Sequence, residues 1–187
     1  MQPADVARRL VDGSALVPDP RFAEPGFADA TDWLLHEMNR RLPTHGNGAI
    51  WLWAKAPYGA LRRILAQSRG EALIRCRISR ERVLLSGFGD WHFALNGDVF
   101  LPPITGESAR AFDARLAASR AELEKRLAHA GAPATSQWED YPGAVRDHIV
   151  GTWSRMLDPD VVSEASVVQA SAHSLQPDDV VSISLII

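Results

Sequence analysis

The chain of 187 residues has one cysteine, Cys76, two lysines, Lys55 and Lys125, and no apolar run near the ~18 residues that a membrane-spanning helix needs. A single cysteine excludes an internal disulfide. Its place in an alternating, strand-like run marks Cys76 as a structural thiol rather than a nucleophile. A formal charge of -3 and a pI near 6.1 give no general attraction to nucleic acid or to an anionic membrane. The opening MQPADVARRL lacks the apolar centre of a secretory signal, so the expected location is cytoplasmic. The strong catalytic signatures are missing too: no Walker loop, no G-x-G-x-x-G, no G-x-S-x-G and no H-E-x-x-H. His36, His45, His92, His129, His148 and His173 are scattered without the paired spacing of a zinc site, so no metal centre is expected. Glu122 with Glu124, and Asp178 with Asp179, fall in a solvated helix and a turn, which removes the obvious carboxylate pairs for acid–base work.

What is present suits one buried core. A content of 46% hydrophobic and 23% charged residues over this length predicts a single domain, residues 1–187. Helical spacing predicts a first helix over Pro3–Leu10, with Val6, Leu10 and Val11 turned inward, and a second over Phe27–Leu42, with a stripe of Phe27, Ala30, Leu34 and Met38. Ala49–Ala54 is rich in bulky residues and reads as a strand with Trp51 and Trp53 on one face. A helix over Tyr58–Ser68 opens after Pro57, and Ala72–Ile78 alternates as a half-exposed strand. Glu107–Ala130 is the longest helical stretch, with Phe112, Leu116, Leu123 and Leu127 on its apolar side. One or two helices over Trp138–Leu157 are broken near Pro142–Gly143, and Val145, Ile149, Trp153 and Met156 pack inward. The tail closes with strands over Ser166–Ser174 and Val180–Ile187, separated by a turn at Gln176–Asp179. Helices early, strands later and no regular βαβ alternation predict an α+β domain with a mixed or mainly antiparallel sheet flanked by helices.

The most informative stretch is the block Val83–Gly97, VLLSGFGDWHFALNG, which reads as strand, tight turn and short helix with polar groups gathered at the turn. Asp90 is placed to cap that helix, and His92 and Asn96 lie one turn apart on the same face. His92 can move a proton near neutral pH, and Asn96 can both donate and accept. The alternative is that Asp90 caps, Trp91 fills core, and His92 and Asn96 satisfy nearby backbone groups. Trp51 and Trp53 are the best stacking platform among the six tryptophans. In the late strand Gln169 and His173 share a face with Ser171 between them; as an edge strand, that face would simply meet solvent.

On Ile50-Trp51-Leu52-Trp53, the block Ser86-Gly87-Phe88-Gly89-Asp90-Trp91-His92 with Leu95-Asn96, and Val168-Gln169-Ala170, the chain resembles a bacterial family, the domain of unknown function 3841. The resemblance spans nearly the whole chain and implies a role for the Trp91-His92 pair of the central block. Two departures stand out: the chain opens Met1-Gln2-Pro3 where the family has a Thr-Ile-Gln strand, and Gly87 occupies a position where an acidic residue is expected. A looser similarity is to ADP-ribosyltransferase-like proteins, whose late catalytic strand and following proline segment match Gln169, Leu175, Gln176-Pro177 and Val180. That similarity implies NAD as a cofactor, but a glutamine at 169 offers no negative charge to an oxocarbenium-like transition state.

Two functions follow as expectations. One is an enzyme that binds a small molecule or nucleotide, with His92 and Gln169 as catalytic residues and Trp51, Trp53, Trp91, Asn96 and His173 lining the cleft. The other is a non-catalytic interaction module of a bacterial stress or defence system, whose exposed strand binds another chain.

Overall fold

Alternation decides the strands, and the pairing register shows which face of each is apolar. The computed structural model describes residues 2–19, 25–133 and 138–186. Along the described chain run β1 (Gln2–Pro3), α1 (Ala4–Val11), α2 (Ala28–Arg41), β2 (Ile50–Lys55), α3 (Tyr58–Gln67), β3 (Glu71–Cys76), β4 (Leu84–Gly87), α4 (Trp91–Leu95), α5 (Ala109–His129), α6 (Gly143–Trp153), α7 (Pro159–Glu164), β5 (Val168–Ala172) and β6 (Val180–Leu185). The strands form two three-stranded antiparallel sheets, ordered β1-β3-β6 and β2-β5-β4, so the α+β expectation holds. Among the described residues no helix is long and apolar enough to cross a membrane.

The chain separates into two compact units, Met1–Leu85 with Ser166–Ile187, and Ser86–Ala165. In the first, β2 pairs with β5 so that Ile50 faces Ala172 and Leu52 faces Ala170, and these four side chains lie on the apolar face of the sheet. Leu10, Leu16, Ile50 and Leu175 form one buried cluster there, and Val83, Ala170 and Ala172 a second, with Leu52 and Ile78 packed against both. An isolated bridge between Leu16 and Leu175 ties the segment after α1 to the tail, a pairing that no local sequence pattern announces.

Several sequence expectations change. Val11 is 72% exposed because α1 turns Ala7 and Leu10 inward instead, and Phe27 lies ahead of α2, 40% exposed. The strand at 168–172 is not a solvated edge: it is the central strand of its sheet and every one of its residues is buried. A Gln, Ser, His alternation resembles an edge strand, but alternation reports only which residues share a face, not whether that face is covered.

The second unit is mostly helical. On α6, Val145, Ile149 and Trp153 are buried as expected, with Met156 in the helical turn that follows. The short helix α7 was not expected; Pro159 opens it and Val161 and Val162 are its buried pair. Ser108 caps α5 by accepting a hydrogen bond from the Ala111 amide, and only Leu127 on that helix is fully buried.

Candidate functional site

The register of β2 against β5 brings four of the polar and aromatic residues together. Trp53 lies directly opposite Gln169, and Trp51 directly opposite Ser171. Directly opposed residues in an antiparallel pair point to the same side, so both tryptophans share a face with Gln169 and Ser171, while His173 follows in the bend just past the end of β5. This is the face away from Ile50, Leu52, Ala170 and Ala172. It grades from closed to open: Gln169, Ser171 and His173 are 5%, 1% and 5% exposed, whereas Trp51 and Trp53 are 41% and 40% exposed. The face thus joins buried polar residues to two half-exposed indoles.

Within that row, two atoms stand out. Ser171 Oγ and His173 Nε2 are buried without a hydrogen-bond partner among the described residues. Native chains satisfy nearly all buried polar atoms, because leaving one unpaired costs roughly 1–3 kcal/mol. The two residues are two apart in sequence, Ser171 within β5 and His173 just past its end.

The His173 ring is fixed from its other side. Its Nδ1 lies 2.9 Å from Thr44 Oγ1. The loop that carries Thr44 is pressed onto the ring, since a Cβ at Gly46 would meet His173 Cδ2 at 2.9 Å. Asn39 on α2 clasps that loop: its Nδ2 donates to Gly46 O and its Oδ1 accepts from Gly46 N, both at 3.1 Å. Burial, and then the nearby charge of His45, hold the His173 imidazole below its usual titration range, so it sits neutral at pH 7. A neutral ring fixed at Nδ1 presents a defined Nε2, the role that a second partner normally gives a working histidine.

Other polar groups of the first unit are already committed. Arg82 forks onto Asp179, Nη1 to Oδ1 at 2.7 Å and Nη2 to Oδ2 at 2.9 Å, and Asp179 also accepts from the Gln176 amide in a capping box. Burial alone would push Glu37 up, yet hydrogen bonds from Arg40 and Arg41 outweigh it and hold that carboxyl below its usual range.

Trp91, His92 and Asn96 belong to the second unit, and the hydrogen bonds of the His92 and Asn96 side chains there are local. His92 Nδ1 lies 3.2 Å from Phe88 O, and Asn96 Nδ2 donates to His92 O at 2.7 Å, both on the exposed side of α4. The His92 ring meets Phe88 edge-on at 5.3 Å between centroids, and Trp91 is buried at 7%. Asp90 precedes α4 but does not cap it: its backbone is already helical and its side chain makes no capping hydrogen bond. The carboxyl instead lies against Gly87, where a Cβ would collide with Asp90 Oδ2 and meet Ala165 Cβ at 3.2 Å. Burial there raises the Asp90 carboxyl above its usual range. The glycine found where an acidic residue was expected therefore makes room for an acidic side chain three residues on. Further along, Trp153 Nε1 donates to Asp98 O at 2.8 Å, and Trp138 covers Gly97, which has a φ of +61°.

The sequence pattern puts Trp51 with Trp53 and Gln169 with His173 on shared faces; the register unites Trp51, Trp53, Gln169 and Ser171, and His173 falls just past the paired residues. Sequence reasoning passed over Ser171 as a spacer, although its place midway between Gln169 and His173 was the available signal. Thr44, Asn39 and Gly46 had none, since Thr44 meets His173 across 129 residues of sequence. Among the described residues no group of three or more His, Cys, Asp or Glu side chains could hold a metal ion.

No curated protein and no solved structure matches the chain, and the looser likeness to ADP-ribosyltransferases finds no support among solved structures. A family model does match, over residues 21–181, and with it most of the chain: the protein belongs to the family described as domain of unknown function DUF3841.

Proposed function

We propose that the Trp51, Trp53, Gln169, Ser171 and His173 face of the β2-β5 sheet binds a small organic ligand with a flat ring, and that the protein is an enzyme acting on it. The pair of buried, unpartnered atoms, Ser171 Oγ and His173 Nε2, carries this reading. The half-open tryptophans offer ring faces for stacking, and the buried row supplies polar contacts that fix orientation. In this site His173 is the group suited to move a proton, being held at Nδ1 by Thr44, and Gln169 the group suited to orient a hydroxyl or amide. His92, engaged with Phe88 on α4, is not required. Nucleosides, nucleotides and NAD combine a flat ring with several hydroxyls and form the first panel to screen.

The test is a thermal-shift screen of the full chain with that panel, followed by tryptophan fluorescence titration of any hit. A ligand at a hundred times its dissociation constant stabilises the folded state by about 2.7 kcal/mol. The expected hit quenches fluorescence in the native protein and loses most of its affinity in Trp53→Ala and Ser171→Ala. No hit from the panel would favour the second reading, a non-catalytic module that binds another chain. The observation behind that second reading is β6, at the edge of its sheet, with Val181 52% and Leu185 64% exposed.

A further inference from the structure

We infer that the loop between α2 and β2, residues 43–49, is the positioning device of the site: Thr44 fixes the His173 ring, and Asn39 fixes it from one step further out by holding the loop. The inference rests on the binding face proposed above and names what prepares that face for a ligand. The loop is anchored at both ends by buried side chains, Leu42 after α2 and Ile50 at the start of β2. Between those anchors it is mostly exposed, and its centre, Thr-His-Gly-Asn-Gly over 44–48, has no aliphatic residue to bury. A polar surface segment of this kind is ordinarily mobile. Three contacts hold this one. Asn39 meets both the N–H and the C=O of Gly46, Thr44 Oγ1 lies 2.9 Å from His173 Nδ1, and a Cβ on Gly48 would come within 2.5 Å of Pro18 Cβ.

The contacts run as a chain from rigid core to ring. Leu34 and Met38 lock α2 into the core, so Asn39, next to Met38, is carried by a fixed helix end. Its carboxamide meets the Gly46 peptide group donor to acceptor and acceptor to donor, a pairing that sets position and direction together. Gly46 in turn lies so close to the imidazole that a Cβ there would strike His173 Cδ2 and Cβ, at 2.9 and 3.2 Å. Thr44, two residues earlier, reaches Nδ1. Backbone packed on the ring and a hydroxyl at one nitrogen together fix its orientation. A histidine that serves only the core has both nitrogens met. Here the loop secures the Nδ1 side, while Nε2 is buried with no hydrogen-bond partner among the described residues. Holding a ring by one nitrogen and leaving the other for a ligand is how a working imidazole is preorganised.

Histidine-selective isotope labelling of the full chain tests this by NMR without a ligand, the His173 ring signals being identified by their loss in His173→Gln. The native ring should give one set of signals at pH 7.5. Thr44→Val, of the same size but without the hydroxyl, should move the Nδ1 resonance, and Thr44→Ser should restore it. Asn39→Ala should move the same resonance in the same direction, although the Asn39 hydrogen bonds run to Gly46 and not to the ring. The Thr44 pair should keep the native melting temperature, so it decides the matter even where Asn39→Ala destabilises α2. Adenosine and NAD then supply the binding readout by tryptophan fluorescence. A probe that binds the native chain should bind Thr44→Val and Asn39→Ala about five- to tenfold more weakly, the scale of one lost hydrogen bond, and Thr44→Ser at near-native strength. Ring signals unmoved by Thr44→Val and Asn39→Ala overturn the inference, whether or not a probe binds. Moved signals with unchanged affinity make the loop a structural brace alone and overturn it as well. Moved signals with no binding by either probe uphold the positioning of the ring and count against the proposed ligand class.

Discussion

β5 and the Ser86–Asn96 block are both rich in polar residues, yet they handle those residues in opposite ways. In the block, His92 and Asn96 hydrogen-bond to carbonyls within one helical turn, and the Asp90 carboxyl finds room against Gly87. The segment is locally self-sufficient, although its sequence is the more conspicuous of the two. On β5 and just past its end, two polar atoms, Ser171 Oγ and His173 Nε2, are buried with no hydrogen-bond partner among the described residues, and the tryptophans opposite β5 are half exposed. The contrast teaches that a dense polar motif can be spent on its own backbone, while a plain alternating strand can hold the unmet hydrogen bonds that point to a ligand.

The comparison breaks most visibly under substitutions whose costs differ in origin. Trp153→Ala should be the most damaging, because the indole is wholly buried and its Nε1 holds Asp98 O. A loss of about 3–5 kcal/mol is expected in chemical denaturation, the range for truncating a buried aromatic. Next comes Gly87→Ala, whose methyl would displace the Asp90 carboxyl and crowd Ala165. The expected cost is roughly 1–3 kcal/mol, and a double substitution with Asp90→Ala should recover much of it if the collision is the cause. Ser171→Ala inverts the pattern: removing a buried hydroxyl with no partner among the described residues should leave stability unchanged or raise it by up to about 1 kcal/mol, while binding of a hit from the ligand panel falls. A clear loss of stability would show that Ser171 has a structural partner and would dissolve the contrast.

The smallest effect is in pH dependence. Burial raises the Asp90 carboxyl, so the folded state holds its proton more tightly than the unfolded state does. Its contribution to stability is therefore present below the unfolded value of about 3.9 and lost as pH rises through the folded value. His173 has the opposite sign: its folded value is lowered, so its contribution is present above about 6.5, the unfolded value, and lost as pH falls through the folded one. Denaturation midpoints of Asp90→Asn and His173→Gln across pH 4 to 8 should each flatten one limb of the native profile. The Asp90 limb runs upward from about 3.9, and the His173 limb runs downward from about 6.5. Identical profiles for the native protein and both variants would mean that neither burial perturbs the fold.

Much of the fold is legible in sequence where local rules dominate. Pro57 and Pro142 stand immediately before α3 and α6, Ser108 caps α5, and the bulky alternation of Ile50–Lys55 yields β2 close to the expected bounds. What local pattern could not give was pairing. Nothing within 168–172 says that β2 and β4 flank it on both sides, so its residues look exposed when they are buried. The same limit hid Thr44 and Gly46 from the site, since both reach His173 through the tertiary fold. For Asp90, a cap geometry was expected because the residue type favours it; the space above Gly87 competed and won.

The position of β5 in the chain also has a consequence for how the protein is made. The central strand of its sheet follows Ser86–Ala165, so β2 and β4 leave the ribosome well before the strand that lies between them. Until residues 166–187 emerge, the apolar faces of Ile50, Leu52 and Val83 have no Ala170 or Ala172 to pack against, and the edges of β2 and β4 that β5 will pair with stay open. Chains stalled before Ser166 should therefore resemble other proteins whose sheets close late: collapsed, exposed at strand edges and dependent on chaperone protection. The strand that carries the unmet hydrogen bonds is also the one that ends this vulnerable interval.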